Sequence, residues 1–173
     1  PAAALACLSL ATARLGSVGA WQSGVLYLAY TLSAVMGATY VVKRLGSRNA
    51  MILGMTFFCM YVGAFLIATI WPSTLKVAAL TGAAIGGIGS GLLWTAQGVY
   101  FSQASEEYSL KSGQDWASST SMLAGIFAFI LLAEETALDL LSTFLIRVFG
   151  VPWNVIFALY AGIAVVATSC MVY

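Results

Sequence analysis

The chain has 173 residues, of which 61% are hydrophobic and 8% charged, with a net charge of +1 and no histidine. Soluble domains carry roughly 25% charged residues, so most of this chain cannot face water, and a polytopic membrane protein is the class that fits. The small net charge excludes a general attraction to nucleic acid, and the lack of histidine removes the commonest metal ligand and general base.

Pro1 to Ala13 is apolar but shorter than the roughly 20 residues that cross a bilayer. It reads as the end of a span begun elsewhere (residues 1–13, partial), so a longer parent protein is expected. Arg14 to Gly19 reads as a short turn. Residues 20–42 are free of charge and, at 1.5 Å per residue, about 34 Å long as a helix, enough for a span. Ser33 and Gly37, then Ala34 and Ala38, are four apart and suit close helix approach. Tyr27, Tyr30 and Thr31 are candidates for lining a cavity. The alternative for them is hydrogen bonding between helices and anchoring at the interface.

Lys43 to Arg48 is the tightest basic cluster, and the positive-inside rule sets it in the cytoplasm. Lys111 would then also lie inside, and Arg14, Lys76 and Arg147 outside. A second full span covers 50–71, with Trp71 at the interface, and Pro72-Ser73-Thr74 makes a tight turn. The span at 75–101 contains Gly82, Gly86, Gly87, Gly89 and Gly91. A nucleotide-binding reading of Gly87-Ile88-Gly89-Ser90-Gly91 fails, because the third fingerprint glycine falls at Leu92 and no strand–helix–strand unit surrounds it. Close helix packing explains the glycines. The span ends in Trp94, Thr95 and Gln97, which suit ligand or partner contact. They equally suit a helix end in the headgroup layer.

Residues 102–113 read as a solvated cytoplasmic loop. Ser112 with Asp115 resembles a capping box, starting a helix near Gln114 and a span at 114–133. On that count Glu134, Glu135 and Asp139 fall at the far interface. They are either coupling acids for a cation or proton or a wetted acidic mouth. Residues 136–150 are apolar but short, and either prolong the preceding helix or lie in the interface. Pro152 breaks the chain, and 153–173 is the last span. The expectation is an all-α transmembrane bundle of five clear spans plus the stub of a first. Cys7, Cys59 and Cys170 lie in apolar runs without ligand spacing and read as buried hydrophobes. No metal ion and no cofactor is expected, and no nucleophile has an evident base nearby, so an enzyme is poorly supported.

Six helices with a short basic loop between the second and third resemble one half of a major facilitator superfamily protein. Of that superfamily's loop motif, Arg44, Gly46 and Arg48 match, while Thr39, Lys43 and Ser47 stand at its leading glycine, aspartate and second arginine. Gly24-Val25-Leu26-Tyr27, Arg44-Leu45-Gly46-Ser47-Arg48, Gly54-Met55 and Leu93-Trp94-Thr95-Ala96-Gln97-Gly98-Val99-Tyr100 follow in order. From Leu15 to Phe101 this resembles the N-terminal half of the uncoordinated protein 93-like family, a divergent branch of that superfamily.

The resemblance implies a twelve-helix protein of two pseudo-symmetric halves, with the C-terminal half missing here and the first helix truncated. It also implies an accessory role in ion-channel regulation or receptor trafficking, and hence a second membrane protein as partner besides the lipid bilayer. Arg44, Gly46 and Arg48 would latch helix ends across the inner face. The competing reading is a secondary transporter of a small solute, with Glu134 or Glu135 coupling it to protons or cations.

Overall fold

A computed structural model describes residues 17–172. The partial span at 1–13, with Cys7 and Arg14, lies outside the described residues. Five helical rods are long and apolar enough to cross a membrane, so this is an integral, multi-pass membrane chain. The expected count of six would need the stub at 1–13.

The first rod comprises α1 (Ser17–Ser33), a π-helical turn (Ala34–Ala38) and α2 (Thr39–Leu45). The expected turn up to Gly19 is, from Ser17 on, already helix. Gly46 stops the rod with φ +80° and ψ 160°, a backbone that side-chain-bearing residues rarely adopt. Its N–H still bonds Val42 O at 2.9 Å, and its carbonyl accepts from Ala50 N at 3.1 Å. One glycine thus joins two spans with no loop at all. α3 (Ser47–Ile70) ends where Trp71 N reaches Ile67 O at 2.9 Å, and Pro72, which lacks an N–H, opens a single 3₁₀ turn (Pro72–Thr74).

α4 runs from Leu75 to Ser112 without a break. The loop expected at 102–113 is therefore helical up to Ser112. Its residues are polar but helix-compatible, and Lys111 Nζ bonds Glu107 Oε1 at 2.5 Å across one turn. Polarity marked exposure to water there, not loss of helix. At about 57 Å, α4 is longer than a bilayer is thick. Gly113, at φ +67°, caps it. Asp115 Oδ2 accepts from Ala117 N at 3.1 Å and starts α5 (Trp116–Phe149) two residues later than expected. α5 is one helix of 34 residues, so 136–150 prolongs the preceding helix. Gly150 (φ +61°) ends it, and α6 (Trp153–Val172) follows Pro152.

α4 is the hub. Its glycines let two neighbours approach to backbone distance on opposite faces. A Cβ at Gly89 would sit 2.6 Å from Phe57 Cβ and 3.0 Å from Gly54 O; at Gly86 it would meet the Tyr61 ring at 2.8 Å. These positions, with Gly82, form the seam with α3. Gly87 and Gly91 form the seam with α1, where a Cβ at Gly87 would lie 2.7 Å from Ala29 Cβ and one at Gly91 2.9 Å from Ala34 N. Ser33 and Ala34 thus take part in close approach, but Gly37 has open space around it.

Lipid offers apolar groups the same environment as a helix face, so contact area and aromatic geometry hold this bundle. Tyr61 meets Phe65 edge-on with ring centroids 5.0 Å apart, and Phe65 stacks on Phe157 of α6 at 5.9 Å. Pairs of this kind contribute about 0.5–1.5 kcal/mol beyond their area. The core so formed also takes in Leu26, Met55, Phe58, Val62 and Ile156. α1, α4, α3 and α6 form a row, and α5 lies across α4 and α6.

Candidate functional site

Trp94, Thr95 and Gln97 are neighbours in sequence but not in space. Residues 95, 99 and 103 share one face of α4, whereas 94 and 97 lie on another. Trp94 faces α5, where its ring meets Phe127 edge-on at 6.4 Å. Gln97, half-buried, lies beside it one turn on. Thr95 instead joins Val99 and Gln103 in the wall of a cleft of about 320 Å³, closed on the other side by Thr39, Val42, Lys43, Gly46 and Ser47. Of the α1 candidates, Tyr30 packs beside Gly87, and Tyr27 and Thr31 are exposed. The Thr31 hydroxyl donates to Tyr27 O at 2.9 Å. The six candidates do not form one cavity.

The basic loop is spread along the same end of the bundle. The Arg44 guanidinium lies 5.3 Å above the Tyr40 ring. Arg48 Nη2 donates to Met171 O at 3.4 Å, in the last turn of α6. The final carbonyls of a helix lack intrahelical partners, and a cation there is favoured by the helix dipole. Arg48 therefore ties the start of α3 to the end of α6, two spans 123 residues apart in sequence. This contact joins two spans of the described residues.

Phe127 meets Trp94 of α4, and further along α5 Ser142 and Leu138 O both hydrogen-bond Tyr160 Oη of α6. Glu134 and Glu135 lie between these contacts along α5. Glu134 is exposed, and Glu135 and Asp139 are half-buried.

Two buried polar pairs had no motif to announce them. Gln22 Nε2 donates to Tyr61 Oη at 3.0 Å inside the core, linking α1 to α3. Ser142 and Tyr160 link α5 to α6. Their only sequence signal is a polar residue inside an apolar run, which gives no partner. Among the described residues no group of three or more histidine, cysteine or acidic side chains could hold a metal. Cys59 Sγ lies 3.3 Å from Thr168 Oγ1, and Cys170 is exposed rather than buried. Outside the spans, the hydrogen bond from Lys111 holds the Glu107 carboxyl below the usual value of 4.5.

The family model described as "Ion channel regulatory protein UNC-93" matches residues 17–172. A similar curated protein is UNC93-like protein 3 of Arabidopsis thaliana, 23% identical over 145 residues, which is 82% of this chain and 29% of the relative. The chain spans less than a third of the length of that relative. No solved structure matches it.

Proposed function

Because the chain belongs to the UNC-93 family, described as ion channel regulatory proteins, we propose that it forms part of a non-enzymatic accessory protein that holds a second membrane protein, a channel or a receptor. The state of α5 supports this best. Of its 34 residues only Ser119 and Ser142 are buried, and Glu134 and Glu135 lie on it between its contacts with α4 and α6. A carboxylate facing hydrocarbon is costly, and acids within a span face protein or a water-filled cavity. On this reading α5 is covered in the whole protein, by the second half of a major facilitator-type bundle, and the Trp94–Gln97 face beside it contributes to partner contact.

The test is gentle-detergent purification of the tagged, full-length protein. A membrane protein co-purifying in near-equal amount, and lost when Trp94 and Gln97 are both changed to alanine, supports the proposal. An intact preparation without any partner overturns it.

Two acids on a candidate span also favour a second reading, a secondary transporter in which Glu134 or Glu135 carries the coupling proton or cation. Proton-gradient-driven uptake into liposomes by the full-length protein, abolished by Glu134→Gln or Glu135→Gln, would support transport. Uptake indifferent to both changes would remove these acids from it.

A further inference from the structure

The cleft at the basic end has a chemistry that neither reading uses. Five polar side chains line it: Thr39, Lys43, Ser47, Thr95 and Gln103. Among the described residues none of the five has a hydrogen-bond or ion-pair partner. Elsewhere in the spans, threonine hydroxyls turn back onto the carbonyl four residues earlier, as Thr31, Thr56, Thr81 and Thr168 do. Thr39 and Thr95 do not. A cleft of similar volume on α1, about 330 Å³ and lined by Ala20, Trp21, Gly24, Val25 and Leu28, offers no charge and no hydroxyl, only the Trp21 indole N–H.

The donors present are an ammonium, three hydroxyls and an amide, the set that suits a phosphate oxyanion. Ser47 opens α3, whose N-cap is Gly46 with no side-chain cap, so the positive end of that helix faces the same region. No carboxylate lines the cleft. The nearest acids along α4 are Glu106 and Glu107, three and four residues beyond Gln103; neither lines the cleft, and Glu107 is held by Lys111. Val42, Val99 and the methyl groups of the two threonines make the rest of the wall apolar. The cleft sits where the spans emerge at the basic loop, which is the depth of the lipid headgroups. Its volume is at the low end of the ~300–1,000 Å³ usual for small-molecule sites, room for a phosphate and glycerol but not for whole acyl chains.

We infer that this cleft binds the phosphate of an anionic phospholipid, with Lys43 as counter-ion, Thr39, Ser47, Thr95 and Gln103 as hydrogen-bond donors, and Val42 and Val99 against the glycerol and the first methylenes. Basic pockets between spans on the cytoplasmic side hold acidic headgroups in this way, and the positive-inside rule puts this end in the anionic leaflet. The site ties the hinge at Gly46 to the composition of the leaflet.

The experiment follows thermal unfolding of the delipidated full-length protein during titration with phosphatidylserine, with phosphatidylcholine, or with inorganic phosphate. Phosphatidylserine should raise the melting temperature; phosphatidylcholine should not, because its trimethylammonium offsets the same phosphate beside Lys43, and inorganic phosphate should not, because it has no glycerol or methylenes to lie against Val42 and Val99. Lys43→Gln should weaken the apparent affinity for phosphatidylserine about fivefold, the worth of one lysine at an anionic membrane surface. Val99→Trp, which fills the cleft without changing charge, should weaken it at least as much. Arg44→Gln removes an adjacent charge that lies over Tyr40 and should do less. Equal stabilisation by phosphatidylcholine, an effect of Arg44→Gln matching that of Lys43→Gln, or full binding by Val99→Trp would each overturn the assignment. A matching shift with inorganic phosphate alone would replace the lipid with a small anion and overturn it too.

Discussion

α4 and α5 are neighbours of similar length and similar apolar character, and the fold treats them in opposite ways. α4 buries twelve of its residues, five of them glycines in the stretch from Gly82 to Gly91, while α5 buries two serines and no large side chain. Hydropathy does not separate the two. Side-chain size does, because within a bilayer helices associate through backbone proximity and contact area. α5 has a single glycine, Gly125, with nothing within 4 Å of its position. Phe127 meets α4 through its ring, with centroids 6.4 Å apart, and holds that neighbour at ring distance.

The largest expected effect tests that contrast directly. Gly89→Val must displace Phe57 and the Gly54 backbone, and overpacking of this kind costs about 1–3 kcal/mol or more. Gly125→Val should leave the folded fraction unchanged. Size-exclusion profiles of fluorescent fusions read both, and equal damage from the two would break the comparison. Next comes Tyr61→Phe, which strips Gln22 Nε2 of its acceptor in the core and should cost about 1–3 kcal/mol. Gln22→Leu in the same background should recover part of that loss in thermal melts, since the orphaned amide is gone.

Ser142→Ala removes the serine hydrogen bond between α5 and α6, and intramembrane hydrogen bonds average about 0.6 kcal/mol. A loss as large as that of Tyr61→Phe would mean that α5 is held more firmly than its burial indicates. The smallest effect is at Glu107. Its folded pKa is depressed by Lys111, so its contribution is present above the unfolded carboxylate value and is lost as pH falls through the lower, folded one. Amide exchange in the last turn of α4 should quicken over that acidic window in the parent protein, and Lys111→Gln should abolish the dependence.

Much of this architecture was readable from residues alone. Long charge-free runs gave the spans, and the glycines of α4 gave a close-packed hub, because bilayer thickness and backbone approach are local constraints. The course of 102–113 was not, since Glu106, Glu107 and Lys111 are at home both in a solvated loop and in an exposed helix. The register of α5 was hidden for a related reason. Counting residues from Gln114 assumed that the helix begins at the membrane, whereas the register of α5 is set by Phe127 on Trp94 and by Ser142 on Tyr160. The pairing of Gln22 with Tyr61 and the meeting of Lys43 with Thr95 bring together residues far apart in sequence, where periodicity carries no information.

The overshoot of α4 has a mechanical consequence. From the fulcrum at Gly87, where the backbone touches α1, the helix runs about 37 Å to Ser112 at 1.5 Å per residue. A tilt of about 10°, well within the range transmembrane helices show, would swing the Gly113 turn by about 6 Å. The glycine seam is thus the short arm of a lever and the projecting α4–α5 hairpin its long arm, so a slip too small to alter the core would be magnified at the tip.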